Sequence, residues 1–367
     1  MPIRPSKPIR PIKPIVIMIK QKFLFPFLLV TLLVGFTSCE SDFSPNAEWR
    51  EIPSVFCLLD QDDDTTYVRL QRCYLGDGNL YDYGTNPDSI YYPDGMMEVQ
   101  IRVWRNASDM SVSGATPLYV LNFTRELRDK VEGSFASGPQ PVYCHRNMPG
   151  ELDSAYTYEL LVRRVADGSL VATATTRLLG DPDSKKGWLK TPSPVGGNSH
   201  VTFNMLSGSC LIRWIPLDRG RLYQPRVRFY YRYRFAPDSL RYTDIVCNAV
   251  KAVSQQSIEL NTSVYKEHYL GEIAKALRAD TNHKTFVDTV AIIMDVADEP
   301  LNAYIAIATA VERQNYQMYN NITGGVGLFA ARRTHLIEHV LSDKGDQTTG
   351  MHTLLEKLGV GFQQNDL

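Results

Sequence analysis

The sequence predicts a mainly β protein with two β-sandwich domains, the second of which carries an inserted helix. Apolar and polar residues alternate with a period of two through residues 51–180, as they do in strands with one buried face. Turn signals such as Asp167-Gly168 separate the alternating runs. The segment 264–279 departs from this pattern, because its apolar residues recur at helical spacing.

The first domain is expected over residues 51–180. Asp167-Gly168 is the predicted turn of one hairpin, and the acidic stretch 60–64 is the turn of another. Short antiparallel strands joined in this way are typical of immunoglobulin and fibronectin type III sandwiches. The predicted strands of this domain are 52–59, 66–75, 97–103, 156–162 and 170–177.

The stretch 181–199 is rich in Pro, Gly, Ser and Lys, a composition that predicts a linker. A second β-rich domain is expected over 200–335, with its helix near 264–279. The segment 301–312 fits a helix or a strand equally well. Residues 336–367 are predicted to form a partly helical C-terminal tail. The predicted strands of the second domain are 201–206, 210–215, 225–235 and 285–296.

The N-terminal region has the layout of an export signal. Lys20 and Lys22 precede the apolar run 23–36, which is shorter than the roughly 20 residues of a membrane span. Phe36-Thr-Ser-Cys39 resembles a bacterial lipobox, in which the cysteine is acylated with fatty acids such as palmitate. Cys39 is therefore the predicted lipidation site. The alternative is a buried or disulfide-bonded cysteine that follows an ordinary signal peptide.

Residues 1–17 form a proline-rich basic repeat that is unusual for the start of a signal peptide, whereas Met18 begins a normal one. Translation is predicted to start at Met18. Residues 1–38 are accordingly assigned to a signal peptide with an N-terminal extension, and residues 39–50 to a lipidated tether.

Cleavage before Cys39 changes the charge of the chain. The removed segment holds six basic residues and no acidic ones, whereas the whole chain has 39 Lys and Arg against 40 Asp and Glu. The mature protein is therefore acidic, which argues against nucleic acid as a partner. Contact with a membrane is expected through the lipid anchor. Glu40 and Asp42 resemble a surface-export signal of outer-membrane lipoproteins, but a solvated tether fits them equally, so the leaflet stays open.

Five cysteines remain after Cys39, and none forms a Cys-x-x-Cys pair or a zinc-type spacing. An odd number cannot pair completely. Most are expected to be small apolar core residues, and the sequence does not decide whether two of them form one disulfide bond. They are Cys57, Cys73, Cys144, Cys210 and Cys247.

One stretch could carry catalysis. His335, Glu338 and His339 match the His-x-x-Glu-His arrangement of inverted zinc proteases, in which two histidines on a helix hold zinc and the glutamate activates water. The third ligand of that family is a distant downstream glutamate, and Glu356 is the sole glutamate that follows here. A solvated helical segment is the favoured interpretation. We therefore predict no catalytic residue, no metal ligand and no cofactor.

Two further charge patterns admit both a structural and a binding interpretation. The arginines at 226, 228, 232 and 234 line one face of a strand, where we favour pairing with carboxylates on neighbouring strands over an anion site. The acidic stretch 60–64 lacks the glycine and glutamate of a calcium loop, so we favour a hairpin tip that faces water.

The lipobox and several short stretches together resemble an uncharacterised family of Bacteroidota outer-membrane lipoproteins, a domain of unknown function. The most specific element is Asn-Ile-x-x-Gly-x-Gly-x-Phe within 319–332. The other stretches are 52–60, 67–70, 156–162 and 172–176. The resemblance implies a role beside a TonB-dependent receptor, because such receptors are often encoded near members of the family. It implies no functional residue.

The expected function is that of a lipid-anchored, non-enzymatic binding or accessory subunit of the cell envelope, associated with a TonB-dependent outer-membrane transporter. One alternative is a structural or adhesive surface protein similar to a fimbrillin, which would be expected to end in a strand pattern. Residues 349–358 have a helical pattern instead. The second alternative is a zinc hydrolase that uses His335, Glu338 and His339.

Overall fold

The computed structural model describes residues 51–73, 80–129, 138–182, 188–190, 202–203, 208–252, 259–309, 319–342 and 351–362. In this part of the chain the protein is mainly β, as the alternation predicts. The predicted signal peptide 1–38, with Met18, and the tether 39–50, with Cys39, Glu40 and Asp42, lie outside the described residues.

About half of the described residues lie in strands. The strands are β1 (Pro53–Leu59), β2 (Thr65–Arg72), β3 (Met97–Trp104), β4 (Tyr119–Asn122), β5 (Thr124–Arg128), β6 (Gln140–Arg146), β7 (Thr157–Arg164), β8 (Leu170–Arg177), β9 (Leu189–Lys190), β10 (Thr202–Phe203), β11 (Ser209–Trp214), β12 (Leu222–Tyr233), β13 (Ala236–Val246), β14 (Val250–Lys251), β15 (Leu260–Tyr265), β16 (Lys284–Ala297) and β17 (Val326–Ser342). The helices are α1 (Leu80–Thr85), α2 (Pro87–Ile90), α3 (Lys266–Leu277), α4 (Glu299–Ala308) and α5 (Met351–Lys357), with a 3₁₀ turn at Ala107–Ser111.

The first half of the chain forms a β-sandwich. One layer has the strand order β1-β2-β6-β5, and the other has the order β4-β3-β7-β8. Val55, Cys57 and Leu59 on β1 are fully buried and belong to the same apolar core as Ile101 on β3 and Leu160 on β7. The period-two alternation thus places one face of each sheet in the shared core. The hairpins β1–β2 and β7–β8 are those that the turn signals predict.

The second half repeats this arrangement with a helix added. β13, β12, β16 and β17 form one sheet, and β15, β11 and β9 form another. Helix α3 lies where the helical spacing predicts it and buries Tyr269, Ile273 and Leu277. These side chains join the same core as Val227 and Phe229 of β12.

Strand β17 belongs to both halves. Residues 326–331 pair in parallel with β1, and residues 332–341 pair antiparallel with β16. The two larger sheets are thereby continuous as one ten-stranded sheet. The predicted end of the second domain at residue 335 falls inside this strand. The division into two domains itself stays a prediction.

The segment predicted as a linker contributes to the core within its described residues. Trp188 and Leu189 are buried, and β9 pairs with the end of β11. The segment 301–312, whose type the pattern left open, begins in helix α4. Asp298 caps this helix, because its Oδ1 accepts a hydrogen bond of 2.9 Å from the backbone N–H of Leu301.

The C-terminal tail is held by a buried lysine. Lys284 is fully buried, and its ammonium group donates to the carbonyl oxygens of Asp280, Asn282 and Val360 at 2.7–3.0 Å. Helix α5 confirms the predicted helical pattern, and it buries Met351 and Leu355. Lys284 thus joins β16 to the residues that follow α5.

Candidate ligand-binding groove

A groove of about 500 Å³ lies on the outer face of β1 and β2, the face that points away from the first sandwich core. Phe56 of β1 lies at its floor, because even-numbered residues of this strand point away from Val55 and Cys57. Helix α4 contributes Tyr304, and Tyr319 comes from the segment before β17. The volume falls in the range of small-molecule sites, about 300–1,000 Å³.

The aromatic side of the groove is packed in place. The rings of Phe56 and Tyr304 meet edge to face with their centroids 5.7 Å apart. Tyr304 and Tyr319 also pack against a small apolar cluster that contains Leu328 and Ala330 of β17, both fully buried. Burial raises the pKa of Tyr319, and the negative charges of Asp298 and Glu299 raise it further, so its hydroxyl stays protonated.

Arg69 and Gln71 of β2 form the polar side of the groove. Both lie close to the hydroxyl of Tyr91, a buried residue just after α2. Burial raises the pKa of Tyr91, and the proximity of Gln71 and Arg69 partly offsets that effect. The groove therefore presents a guanidinium and an amide opposite the aromatic rings, an arrangement suited to a ligand with a flat or apolar ring and hydrogen-bond acceptors.

The turn before β17 closes one end of the groove. Asn320 Oδ1 accepts from the N–H groups of Ile322 and Gly327, both at 3.0 Å. Asn321 exchanges two hydrogen bonds with the backbone of Phe329, at 2.7 and 2.9 Å. This turn contains the Asn-Ile-x-x-Gly-x-Gly-x-Phe element of the sequence, which begins at Asn321. Asn320 and Asn321 thus have a structural role, because their side chains fix the backbone.

The residues of the possible zinc site lie in β17, so their expected placement on a helix is wrong. Four residues of a strand span about 13 Å, about twice the rise of roughly 6 Å that separates the two histidines of the zinc arrangement on a helix. His335 packs against Trp188 at 5.2 Å between ring centroids. Burial and then the charge of Arg333 lower its pKa. Glu338 is exposed, and no group of three metal-ligating side chains occurs among the described residues.

Arg226 and Arg228, the first two arginines of the row, form the cross-strand ion pairs that we favour from the sequence. Arg226 contacts Asp244 and Asp295 on the neighbouring strands at 2.9 and 2.7 Å. Arg228 binds Asp244 through two hydrogen bonds, and this side-chain contact is the main reason why the pKa of Arg228 is raised. At these two positions the alternation of arginines is explained by ion pairs with the neighbouring strands.

The acidic hairpin tip differs from expectation, because Asp60 is buried rather than water-facing. Burial raises the pKa of Asp60 to about 6, although its hydrogen bond from the N–H of Asp62 opposes this shift. The neighbouring Asp62 and Asp63 pair with Arg333 and Arg332 at 3.0 and 2.8 Å. The tip is therefore an ionic contact with β17, at the point where that strand passes from β1 to β16.

The five cysteines that the structure describes are all free thiols, so the disulfide left open by the sequence is absent. Four of them are buried, as expected of small core residues, and Cys73 is partly exposed. Burial raises the pKa of the Cys57 thiol strongly, which keeps it protonated and unreactive.

Sequence reasoning missed the groove. One local signal was present, because β1 is apolar on both faces, with Phe56 and Leu58 opposite Val55 and Cys57. A strand with two apolar faces indicates that both are covered. The covering helix α4 lies more than 240 residues further along the chain, so nothing local identified Tyr304 as the partner of Phe56.

No family model and no curated protein matches this chain. A solved structure described as "Cytokine receptor complex - Crystal form 2" is similar over 68% of this chain and 92% of that chain, at 11% identity. Its TM-score of 0.18 is too low to indicate a shared fold or function. In the part of the chain that the structure describes, no helix has the length and apolarity to cross a membrane.

Proposed function

We propose that this chain is a lipid-anchored cell-envelope protein of the outer membrane, a non-enzymatic binding or accessory subunit that works beside a TonB-dependent transporter. The lipobox-like segment that ends at Cys39 and the acidic mature chain support the anchored location. The single observation that carries the binding role is the groove with Phe56, Tyr304 and Tyr319 on one side and Arg69 and Gln71 on the other.

The groove favours binding over a purely structural role. Its rings are half-buried, and those of Phe56 and Tyr304 are already in contact, so little side-chain entropy is lost when a ligand enters. The lining residues include one cationic group and no carboxylate, which favours a neutral or anionic ligand over a cationic one. The ligand is expected to stack on the tyrosines and to accept hydrogen bonds from Arg69 and Gln71.

Lipid anchoring is tested at Cys39. Wild-type protein is expected in the membrane fraction, with fatty acyl mass on the first peptide of the mature chain. Cys39→Ser is expected in the soluble fraction without that mass. Membrane retention of the serine variant, with no lipid on the wild-type peptide, would refute the anchor.

Ligand binding is tested by extracting small molecules from protein purified from its native envelope. Mass spectrometry is expected to find a compound in wild-type extracts that is depleted in Tyr304→Ala. Tyr265→Ala is a matched control, because Tyr265 is 56% exposed on β15 and lies outside the groove lining. Identical compounds in wild-type and Tyr304→Ala extracts would count against the groove.

The accessory role is tested by co-purification in mild detergent. An outer-membrane barrel protein is expected to accompany the tagged wild-type chain at near-stoichiometric amount. Recovery of the chain alone from native membranes, across several detergents, would argue against association with a transporter.

A further inference from the structure

Strand β13 forms one edge of the ten-stranded sheet, and within the part of the chain that the structure describes it pairs with β12 and with no strand on its other side. It has 11 residues, whereas β5 at the opposite edge has 5. An edge strand presents a row of backbone N–H and C=O groups that can pair with another strand. The residues that carry these groups define the part of the edge that is open to a partner.

The even-numbered residues of β13 direct their backbone groups away from β12. The N–H of Cys247, directly after the strand, donates to the carbonyl oxygen of Pro225 on β12 at 2.9 Å. Hydrogen bonding alternates along an antiparallel pair, so the odd-numbered residues of β13 bond to β12. The even-numbered residues therefore point to the free edge of the sheet.

Both ends of this edge are limited. At one end the carbonyl oxygen of Val246 is already used, because Nε2 of His268 on α3 lies 2.9 Å from it. At the other end the regular pairing with β12 stops at Leu240, where the register shifts. The open residues of the edge are Leu240, Tyr242 and Asp244.

The open segment presents an aromatic side chain that is already fixed in place. Leu240 and Tyr242 are 49% and 57% exposed. The guanidinium of Arg228 lies over the ring of Tyr242, 4.0 Å from its centroid, and Tyr230 packs against the same ring edge to face. A large exposed ring that is held in this way loses little entropy when a partner binds.

The opposite edge strand, β5, is protected by charge. Three of its five residues are charged, and Arg128 pairs with Glu126 at 2.7 Å. Charged side chains along an edge oppose pairing with another chain. On β13, by contrast, the carboxylate of Asp244 is balanced by Arg226 and Arg228 of β12, at 2.9 and 2.7 Å. The edge at β13 is therefore the one that favours a further strand.

We propose that β13 pairs with β13 of a second copy of this chain, antiparallel and about a two-fold axis at Tyr242. The open residues are symmetric about this position, so Leu240 lies opposite Asp244 of the second copy and Tyr242 lies opposite its own equivalent. Every backbone group that these residues direct to the edge then has a partner, which gives about six hydrogen bonds between the two copies.

The charges of the strand select both this register and a second copy as the partner. An axis at Arg241 would place two arginines opposite each other, and an axis at Asp244 would do the same with two carboxylates. An axis at Thr243 would need the backbone carbonyl that His268 already holds. With the axis at Tyr242, Arg241 lies opposite Thr243 and no like charges meet. The edge is thus complementary to itself in charge and in backbone groups.

The first test is the molar mass of the purified full-length chain in mild detergent, measured by light scattering over a range of concentrations. A concentration-dependent dimer is expected for the wild type. Tyr242→Lys is expected to weaken the Kd of the dimer by about tenfold or more, since the two lysines would oppose each other. Leu127→Lys is the matched control, because Leu127 is 63% exposed on β5, and the dimer is expected to persist in this variant.

The register is tested by Tyr242→Cys in a Cys73→Ser background, which removes the partly exposed native thiol. Two cysteines on the axis would have Cα atoms about 5.5 Å apart, within reach of a disulfide bond. Mild oxidation in cells is expected to link two copies of this variant. Phe235→Cys is the control, because Phe235 is 82% exposed just before β13 and lies outside the open segment. It is expected to form little of the linked dimer.

The proposal is overturned if the wild type is monomeric at every concentration, or if Tyr242→Lys dimerises as the wild type does. It is also overturned if Tyr242→Cys links no faster than Phe235→Cys, or links to a different protein in the cell, because the edge would then serve another partner. The cysteine result decides the question where Tyr242→Lys fails to fold.

Discussion

Lys284 shows how this protein uses a charge in its interior. The ammonium group is surrounded by three backbone carbonyl oxygens, from Asp280, Asn282 and Val360, and by the carboxylate of Asp280 at 3.5 Å. A buried charge is costly unless it is surrounded by such partners. Here the partners come from the segment just before β16 and from the residues after α5, so one side chain joins β16 to the C-terminal residues.

Lys284→Met is expected to destabilise the protein by about 2–4 kcal/mol, because three buried carbonyl groups lose their donor. The measurement is the free energy of unfolding from urea titration. Lys275→Met is the control, since the Lys275 side chain is 75% exposed and pairs with Glu272 one turn away. Equal stability of the two variants would contradict the structural role of Lys284.

Asp60 makes stability depend on pH. Burial raises the pKa of this carboxyl from 3.8 to about 6, so the folded state holds its proton more tightly than the unfolded state. The associated stability is fully present below pH 3.8 and is lost as pH rises through about 6. Asp60→Asn removes this titration. Between pH 5 and 7.5, wild type is expected to lose about 1 kcal/mol of stability relative to this variant.

Urea titrations at the two pH values provide that measurement, with the exposed Asp238→Asn as the control that keeps the wild-type dependence. The same loss in wild type and in Asp60→Asn would show that the buried carboxyl is not the source. The local sequence identified the hairpin but not the burial of Asp60, because its cover comes from β17, far along the chain.

At the scale of single elements, the start of β17 depends on Gly327. This residue has φ of 129°, and a side chain there would meet the carbonyl group of Val55 on the paired strand β1. Glycine therefore permits the parallel strands to approach each other at the end of the aromatic groove.

Gly327→Ala is expected to destabilise the protein by roughly 2 kcal/mol or more, because both the backbone angle and the contact with β1 are unfavourable. Gly271→Ala is the matched control, for which the expected change in stability has the opposite sign. Gly271 lies inside α3 with open space around its Cα, so alanine is expected to stabilise that helix by up to about 1 kcal/mol. Thermal unfolding of the two variants measures both effects. A neutral Gly327→Ala would mean that β17 can shift away from β1.

Elements with a strong local period could be predicted, and those fixed by distant partners could not. The helix at 264–279 and the hairpins β1–β2 and β7–β8 follow from periodicity and turn residues. The strand at 335–339 does not, because histidines four residues apart share a face in a helix and in a strand alike. Pairing with β16 makes this segment a strand, and that pairing joins residues about 45 positions apart in the sequence.

At the scale of the whole molecule, β17 links the two halves. Its first residues complete the sheet of β1, and its later residues complete the sheet of β16. The expected consequence is cooperative unfolding in a single transition. Residues 51–182 expressed alone are expected to fold poorly, because β1 would lose the strand on one of its edges.

Circular dichroism and two-dimensional NMR of that fragment, compared with the whole mature chain, provide the measurement. A well-folded fragment with dispersed amide signals would show that the first sandwich is independent of β17. The sequence could predict that both halves are built from strands and could place five of the eight strands of the first half, but no local pattern revealed that one strand serves both halves.

The parallel register of β1 and β17 has a mechanical consequence. The chain enters the fold at β1, directly after the segment that carries Cys39, and the six residue pairs from Ser54–Val326 to Leu59–Ala331 run side by side. A pull on the entering end of β1 against the far end of β17 loads all six pairs at once, as shear, rather than peeling them apart in turn. Tension that reaches β1 through the residues before it would thus be resisted by these backbone pairs together.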